Sequence, residues 1–210
     1  MTRKPRSRSQ RVPAAQSTRR TLYVFTEGTK TEVLYLQHWY RLCRERVIVE
    51  IDDFHGVPLD LVRAACARKR ADQREAKRGR GSAFDEYWCM FDVDEFPNLP
   101  ETYRLAADNQ INIAVSNPCV ELWFLLHFQN QTAALERGLA QTLAKKHLSC
   151  EKALTPRALE QLTDRYDVAR DRAQKLDTKH EGDGSPPRSN PSSGVWRLIE
   201  SIQGHRGTSG

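Results

Sequence analysis

The sequence predicts an α/β domain: a largely parallel, four-stranded sheet flanked by helices, with a helical C-terminal portion packed on it. Three observations carry this expectation. Strand-like apolar runs alternate with helical stripes four times through residue 128, the pattern of βαβ units. Each run stops at glycine, proline or acidic residues, as strands leaving a sheet do. From about 132 to 175 only the helical period persists, in Leu135, Leu139, Leu143, Leu154, Ala158, Leu162 and Tyr166.

The elements follow in order. "TLYVFTEG" (21–28) is a buried strand stopped by Gly28, and 30–46 carries a helical stripe. "VIVEIDDF" (47–54) is a β-branched second strand. Pro58 then opens an Ala- and Arg-rich helix over 59–81. "EYWCMFDVDEF" (86–96) holds the third strand, and 99–110 reads as the helix after it. "INIAVSNP" (111–118) is the fourth strand, and "CVELWFLLHF" (119–128) starts a strongly apolar helix. The polar stretch 177–194 reads as a loop before a last short helix, "VWRLIESI". Asn190, Pro191 and Ser192 read as the cap and turn of that helix. The expected organisation is a disordered basic tail (1–20), an α/β catalytic core (21–130), the helical portion (131–203) and a flexible end (204–210).

The totals exclude several classes. No apolar run approaches the roughly 18 residues of a membrane span, and the basic N-terminus has no apolar stretch behind it, so neither membrane insertion nor a secretory leader is expected. Five cysteines, an odd number without a CxxC, read as reduced thiols of a cytoplasmic protein and argue against a zinc ribbon. The net charge of +6 is mostly the tail: residues 1–20 hold seven Lys or Arg and no acid, which leaves the body at −1. Such a tail either scans nucleic-acid phosphates by counterion release or simply keeps the chain soluble.

In parallel sheets chemistry collects beyond the carboxyl ends of the strands. The first strand ends in Thr26-Glu27-Gly28, the third in Asp92-Val93-Asp94-Glu95, the fourth in Ser116-Asn117-Pro118. If the first and third strands are neighbours, Glu27 and Asp92 meet at one rim. Alternation points Asp92 and Asp94 the same way, about 7 Å apart. Carboxylates that close raise one another's pKa, and a hard divalent cation, Mg²⁺ or Mn²⁺, removes the conflict. Glu27, beside a glycine that admits a phosphate, is a candidate general acid or base while the aspartates hold metal. Glu32, in the first turn of the next helix, points back to the same rim. Lys30 stands near that helix N-terminus, where phosphate is favoured. The plainer reading is a solvated acidic turn.

Together these stretches resemble a known pattern. "FTEGTKTE" followed by "MFDVDEF" resembles toprim domains, with Glu-Gly ending one strand and DxD ending a later one. The wider set is similar to the RloB-like family: Glu27 to Glu32 (EG-x-KTE), Phe91 to Glu95 (FD-x-DE), Ser116 to Phe128 (SNPC, then ELW-LLHF), and a late Asn190-Pro191-Ser192. The resemblance covers 21–203. It implies a toprim-like, Mg²⁺- or Mn²⁺-dependent nuclease of bacterial anti-phage defence or restriction loci, acting on DNA or RNA beside an AAA/ABC-type ATPase; a homo-oligomer is compatible with it. On this resemblance Glu27 is the toprim glutamate, Asp92 and Asp94 the metal pair, Glu32 and Glu95 additional acids, and Glu121 a further acid facing the site.

Other candidates have plainer readings beside them. His127 lies six residues after Glu121, on another face of the helix, and reads as a packed histidine. Trp123, Phe124, Leu125 and Leu126 read as core. The basic set on 63–80, including Arg68, Lys69, Arg70, Arg74, Lys77 and Arg78, could track a phosphate backbone, form a solvated face or dock an acidic partner. A non-catalytic nucleic-acid- or ATPase-binding subunit with a vestigial acidic site is the alternative function. A haloacid-dehalogenase-type phosphatase is disfavoured, because the DxD strand is not the first and Phe96 stands where a Thr or Val is usual.

Overall fold

The computed structural model describes residues 19–93, 96–150 and 153–204. The expected basic tail up to residue 18, the expected flexible end from 205, and both Asp94 and Glu95 lie outside the described residues. Five strands form one sheet: β1 (Arg20–Thr26), β2 (Val47–Ile51), β3 (Glu86–Asp92), β4 (Asn112–Asn117) and β5 (Ser192–Ser193), in the order β2-β1-β3-β4-β5. The first four are parallel, as the alternation predicted. The fifth is antiparallel to β4 and makes the sheet mixed, a correction to the expected four.

Each parallel connection passes through helix: α1 (Thr31–Cys43), α2 (Pro58–Lys77) and α3 (Leu99–Asp108). Beyond β4 come α4 (Val120–Leu126), α5 (Arg137–Leu148), α6 (Pro156–Asp164), α7 (Tyr166–Gly182) and α8 (Val195–Gln203). Side chains alternate across the sheet, and the two faces carry separate cores. Leu22, Val24, Trp88, Met90 and Ala114 pack with α1, α4, α8 and the other C-terminal helices. Tyr23, Phe25, Tyr87, Cys89, Phe91 and Val115 pack with α2 and α3. The helical C-terminal portion therefore shares one core with one face of the sheet. Within it, the buried Trp123 indole donates to the Tyr35 hydroxyl at 2.8 Å and joins α4 to α1. Trp123, Phe124, Leu125 and Leu126 are all buried, as expected of core.

Three local expectations change. Arg20, expected in the tail, opens β1 and pairs with Glu86. The polar stretch 177–194 is not a loop throughout: α7 continues to Gly182, burying Ala169, Ala173, Leu176 and His180. Those positions keep a helical spacing, but two alanines and a histidine make a weak apolar signal. Asn190, Pro191 and Ser192 do not cap α8, whose N-cap is Gly194. Ser192 lies in β5, and the Asn190 side chain instead brackets the backbone of Leu135, accepting from its N–H and donating to its C=O, each at 2.9 Å.

Candidate active site

Parallel pairing of β1 with β3 aligns Thr26 with Met90, so the residues that follow leave the sheet side by side. The ladder extends one step further, with Glu27 N–H donating to the Met90 carbonyl at 2.9 Å. The Glu27 carboxylate then accepts the Asp92 N–H through Oε2 at 3.0 Å. The two residues thus meet at one rim. Asp92 lies opposite Ser116 of β4, and Val93 N–H donates to the Ser116 carbonyl at 2.8 Å, which fixes the chain as it leaves β3.

Glu32 comes to the same place from α1. It stands in the helix's first turn, only 8% exposed, and its Oε1 accepts the Gly28 N–H at 3.1 Å. A Cβ at Gly28 would fall inside the Glu32 carboxylate, so a larger residue there must displace that side chain. Glu121, in the first turn of α4, completes the group. Its charge raises the pKa of Glu32 and of Asp92 and, with burial, that of the Cys119 thiol.

The electrostatics follow from this convergence. Burial pushes Asp92 up to about 8; the Arg137 guanidinium pulls it down, and Glu32, Glu27 and Glu121 push it further up. Glu32 is also raised, mainly by burial. Arg137, from the first turn of α5, reaches Asp92 Oδ2 at 3.3 Å and the Pro118 carbonyl at 3.4 Å. Four acidic side chains from two strand ends and two helix starts therefore face one arginine. Their chemistry, hard oxygen donors with excess negative charge, suits a divalent cation. Among the described residues no three acidic, histidine or cysteine side chains stand close enough to form a complete metal cluster. Asp94 and Glu95, counted in the expected set, are outside the described residues.

Sequence reasoning passed over two groups at this rim. His55, in the loop after β2, donates through Nδ1 to the Thr26 carbonyl at 2.9 Å, and its charge lowers the pKa of Glu32. No motif marked it, because β2 brings it there only through its pairing with β1. Arg137 was equally silent, lying in an ordinary helical stretch. Lys30, which was expected here, is exposed at the start of α1.

The basic set on α2 is placed elsewhere. The helix leaves the carboxyl end of β2 and delivers the chain to the amino end of β3, so its last turns lie at the opposite edge from the carboxylates. Arg68 is held by Asp72 (3.0 Å), by the Tyr23 hydroxyl (2.6 Å) and over the Tyr23 ring. Lys69 donates to the Asn109 and Gln110 carbonyls, Arg70 to the Asn109 side chain and Arg78 to Glu75. Arg74 and Lys77 are exposed. His127 is a buried histidine, pushed down to about 3 by burial, with Nδ1 donating to the Trp123 carbonyl at 2.9 Å.

The family profile described as RloB-like protein matches residues 22–202. No curated protein and no solved structure matches. Spanning most of the chain, the profile match shows that it belongs to the RloB-like family.

Proposed function

We propose that this member of the RloB-like family is a divalent-metal-dependent nuclease with a toprim-like core, hydrolysing phosphodiester bonds in DNA or RNA. The observation that carries the reading is the convergence of Glu27, Glu32, Asp92 and Glu121 at the carboxyl rim, where burial and mutual repulsion push Asp92 up to about 8. Asp92 would hold the cation, joined by Asp94 on the sequence pattern, with Glu32 or Glu95 assisting. A bound Mg²⁺ or Mn²⁺ supplies Lewis-acid polarisation of the phosphate and a more acidic water.

The protein's own contribution is positional. Glu27 is oriented by the Asp92 N–H at the rim, where it would act as general acid or base toward the attacking water. Glu32, locked onto the Gly28 amide, keeps the β1–α1 turn in place. Lys30 stands beside that turn to receive the substrate's negative charge. Work beside an AAA/ABC-type ATPase in anti-phage defence belongs to the same proposal and rests on the family resemblance.

One observation favours a second reading, a non-catalytic binding subunit with a vestigial acidic site. Arg137 already gives Asp92 an internal counter-charge at 3.3 Å. The two separate in one experiment: purified protein, alone and with the ATPase, is incubated with plasmid, single-stranded DNA and tRNA in Mg²⁺, Mn²⁺ or EDTA. The nuclease reading expects cleavage that requires metal and disappears in Asp92→Ala. Cleavage that survives EDTA or persists in Asp92→Ala refutes the mechanism, and no cleavage with no metal binding supports the vestigial site.

A further inference from the structure

The outer surface of α2 carries three cations that the fold does not use. Arg70, Arg74 and Lys77 are exposed, and at about 100° per residue they fall within about 60° of one another on one face of the helix. Arg70 to Lys77 covers about 10 Å of helix and ends at the amino edge of the sheet. Their neighbours in sequence are held by the fold: Arg68 by Asp72 and the Tyr23 hydroxyl, Lys69 by the Asn109 and Gln110 carbonyls. A run that looks uniform in sequence is thus two sets, one structural and one left to solvent.

The acids of α2 are all committed to other groups. Asp60 stands 3.4 Å from Arg63 at the far end of the helix. Asp72 holds Arg68 at 3.0 Å and accepts the Tyr87 hydroxyl at 2.8 Å. Glu75 takes Arg78 at 2.9 Å and Arg80 at 3.1 Å. Arg70 donates to the neutral Asn109 side chain at 2.9 Å, and no carboxylate among the described residues pairs with Arg70, Arg74 or Lys77. Like charges three and four residues apart on a helix repel and lower its stability. The helix macrodipole favours cations in the last turn, where Arg74 and Lys77 lie, but it does not account for Arg70 a turn earlier. An uncompensated line of positive charge fits a polyanion.

What this ridge lacks decides the class of partner. The exposed large apolar side chains, Leu42, Phe54, Val57, Leu139 and Val168, all lie outside α2. The solvent-facing positions from Ala67 to Lys77 are Ala67, Arg70, Gln73, Arg74 and Lys77. A protein partner needs aromatic or aliphatic anchors, and a single strand needs aromatic rings on which its bases stack; the ridge offers neither. A duplex needs only charge along its backbone. It carries one phosphate per ~3.4 Å along each strand, so about 10 Å of helix faces about three phosphates, one for each cation.

We propose that Arg70, Arg74 and Lys77 form a docking surface for double-stranded nucleic acid, which they grip through its phosphate backbone without reading its bases. The surface lies at the opposite edge of the sheet from the carboxylate rim, and it binds whether or not that rim cuts. The three contacts release counterions from the duplex, so their contribution fades as salt rises.

Fluorescence anisotropy of a labelled random-sequence duplex of about 20 base pairs, in EDTA and at about 50 to 200 mM salt, tests it on the full chain. Residues 1–20 are kept in every variant, so their charge cancels from the comparison. The triple variant Arg70→Ala, Arg74→Ala, Lys77→Ala should lower the slope of log affinity against log salt by about 2–3 and weaken binding at least about tenfold at ~100 mM salt. Its circular dichroism should stay that of the wild type, because alanine suits an exposed helix position. The charge-matched triple Lys146→Ala, Arg157→Ala, Lys175→Ala, exposed on helices of the other sheet face, should change the slope less than half as much. Equal losses in the two triples overturn the proposal, since net charge alone would then suffice. A single strand bound as tightly as the duplex also overturns it, and so does poly-glutamate bound more tightly, which would mark a surface for an acidic protein. Duplex binding through these residues in a protein that cuts nothing in Mg²⁺ supports the surface and refutes only the nuclease reading.

Discussion

Asp92→Asn is the substitution that reads the carboxylate rim most directly, because its effect on stability must depend on pH. In the unfolded chain an aspartate titrates near ~3.9, whereas burial beside Glu32, Glu27 and Glu121 raises Asp92 to about 8, Arg137 notwithstanding. The folded state therefore holds this proton more tightly than the unfolded state does. For a group with a raised folded-state pKa, the stabilisation is complete below the unfolded value and is lost as pH rises to the folded value. The window is pH ~4 to about 8. At about 1.4 kcal/mol per pH unit the full shift amounts to roughly 5–6 kcal/mol. Asp92 is electrostatically coupled to its neighbours and to Arg137, so only about half, roughly 2–4 kcal/mol, is expected from this residue alone.

Asparagine cannot ionise and keeps nearly the same shape. Urea unfolding in EDTA at pH 5, 6, 7, 8 and 9 should show the variant gaining stability over the wild type progressively through the window and levelling above it. Saturating Mg²⁺ should stabilise the wild type at pH 8, because a cation favours the ionised carboxylate that burial disfavours, and should do so far less for the variant. Parallel wild-type and variant curves across pH 5–9 would refute the argument, since Asp92 would then titrate as an ordinary surface aspartate.

Three further perturbations act on separate contacts. Gly28→Ala places a methyl group inside the Glu32 carboxylate and breaks its bond to the Gly28 amide, so a stability loss of about 1–3 kcal/mol and weaker Mg²⁺ protection are expected in thermal melts. Asn190→Ala leaves the Leu135 N–H and C=O without their side-chain partner and should cost about 1–3 kcal/mol in urea unfolding, with no change in the response to Mg²⁺. Arg137→Ala removes the charge that lowers the Asp92 pKa, so Asp92 should titrate higher still by NMR. It should also enlarge the stabilisation by Mg²⁺, which then replaces the counter-charge lost from Asp92.

What could be read from the sequence depended on how far each signal reached along the chain. The four parallel strands and their crossover helices are local in periodicity, so residues 21–128 announced their own order, and the right-handed βαβ logic placed the strand ends at one rim. The meeting of Glu27 with Asp92 needed only the adjacency of β1 and β3. β5 was illegible for the opposite reason. Two serines have no apolar period, and they form a strand because β4 offers them an edge, with Ser193 bonding Ser116 across 77 residues at 3.0 Å. His55 and Arg137 fall in the same class, as neither sits in a motif and each reaches the rim through an element that pairs or packs there. The basic run on α2 differs in a third way. Charge density is visible in sequence, but the direction of a crossover helix and the partners of Arg68, Lys69, Arg70 and Arg78 are tertiary facts. In a parallel sheet the second half of every crossover helix runs away from the carboxyl rim. A basic stretch there can serve the rim's chemistry only if the ligand spans the whole domain, as a nucleic acid does and a small substrate does not.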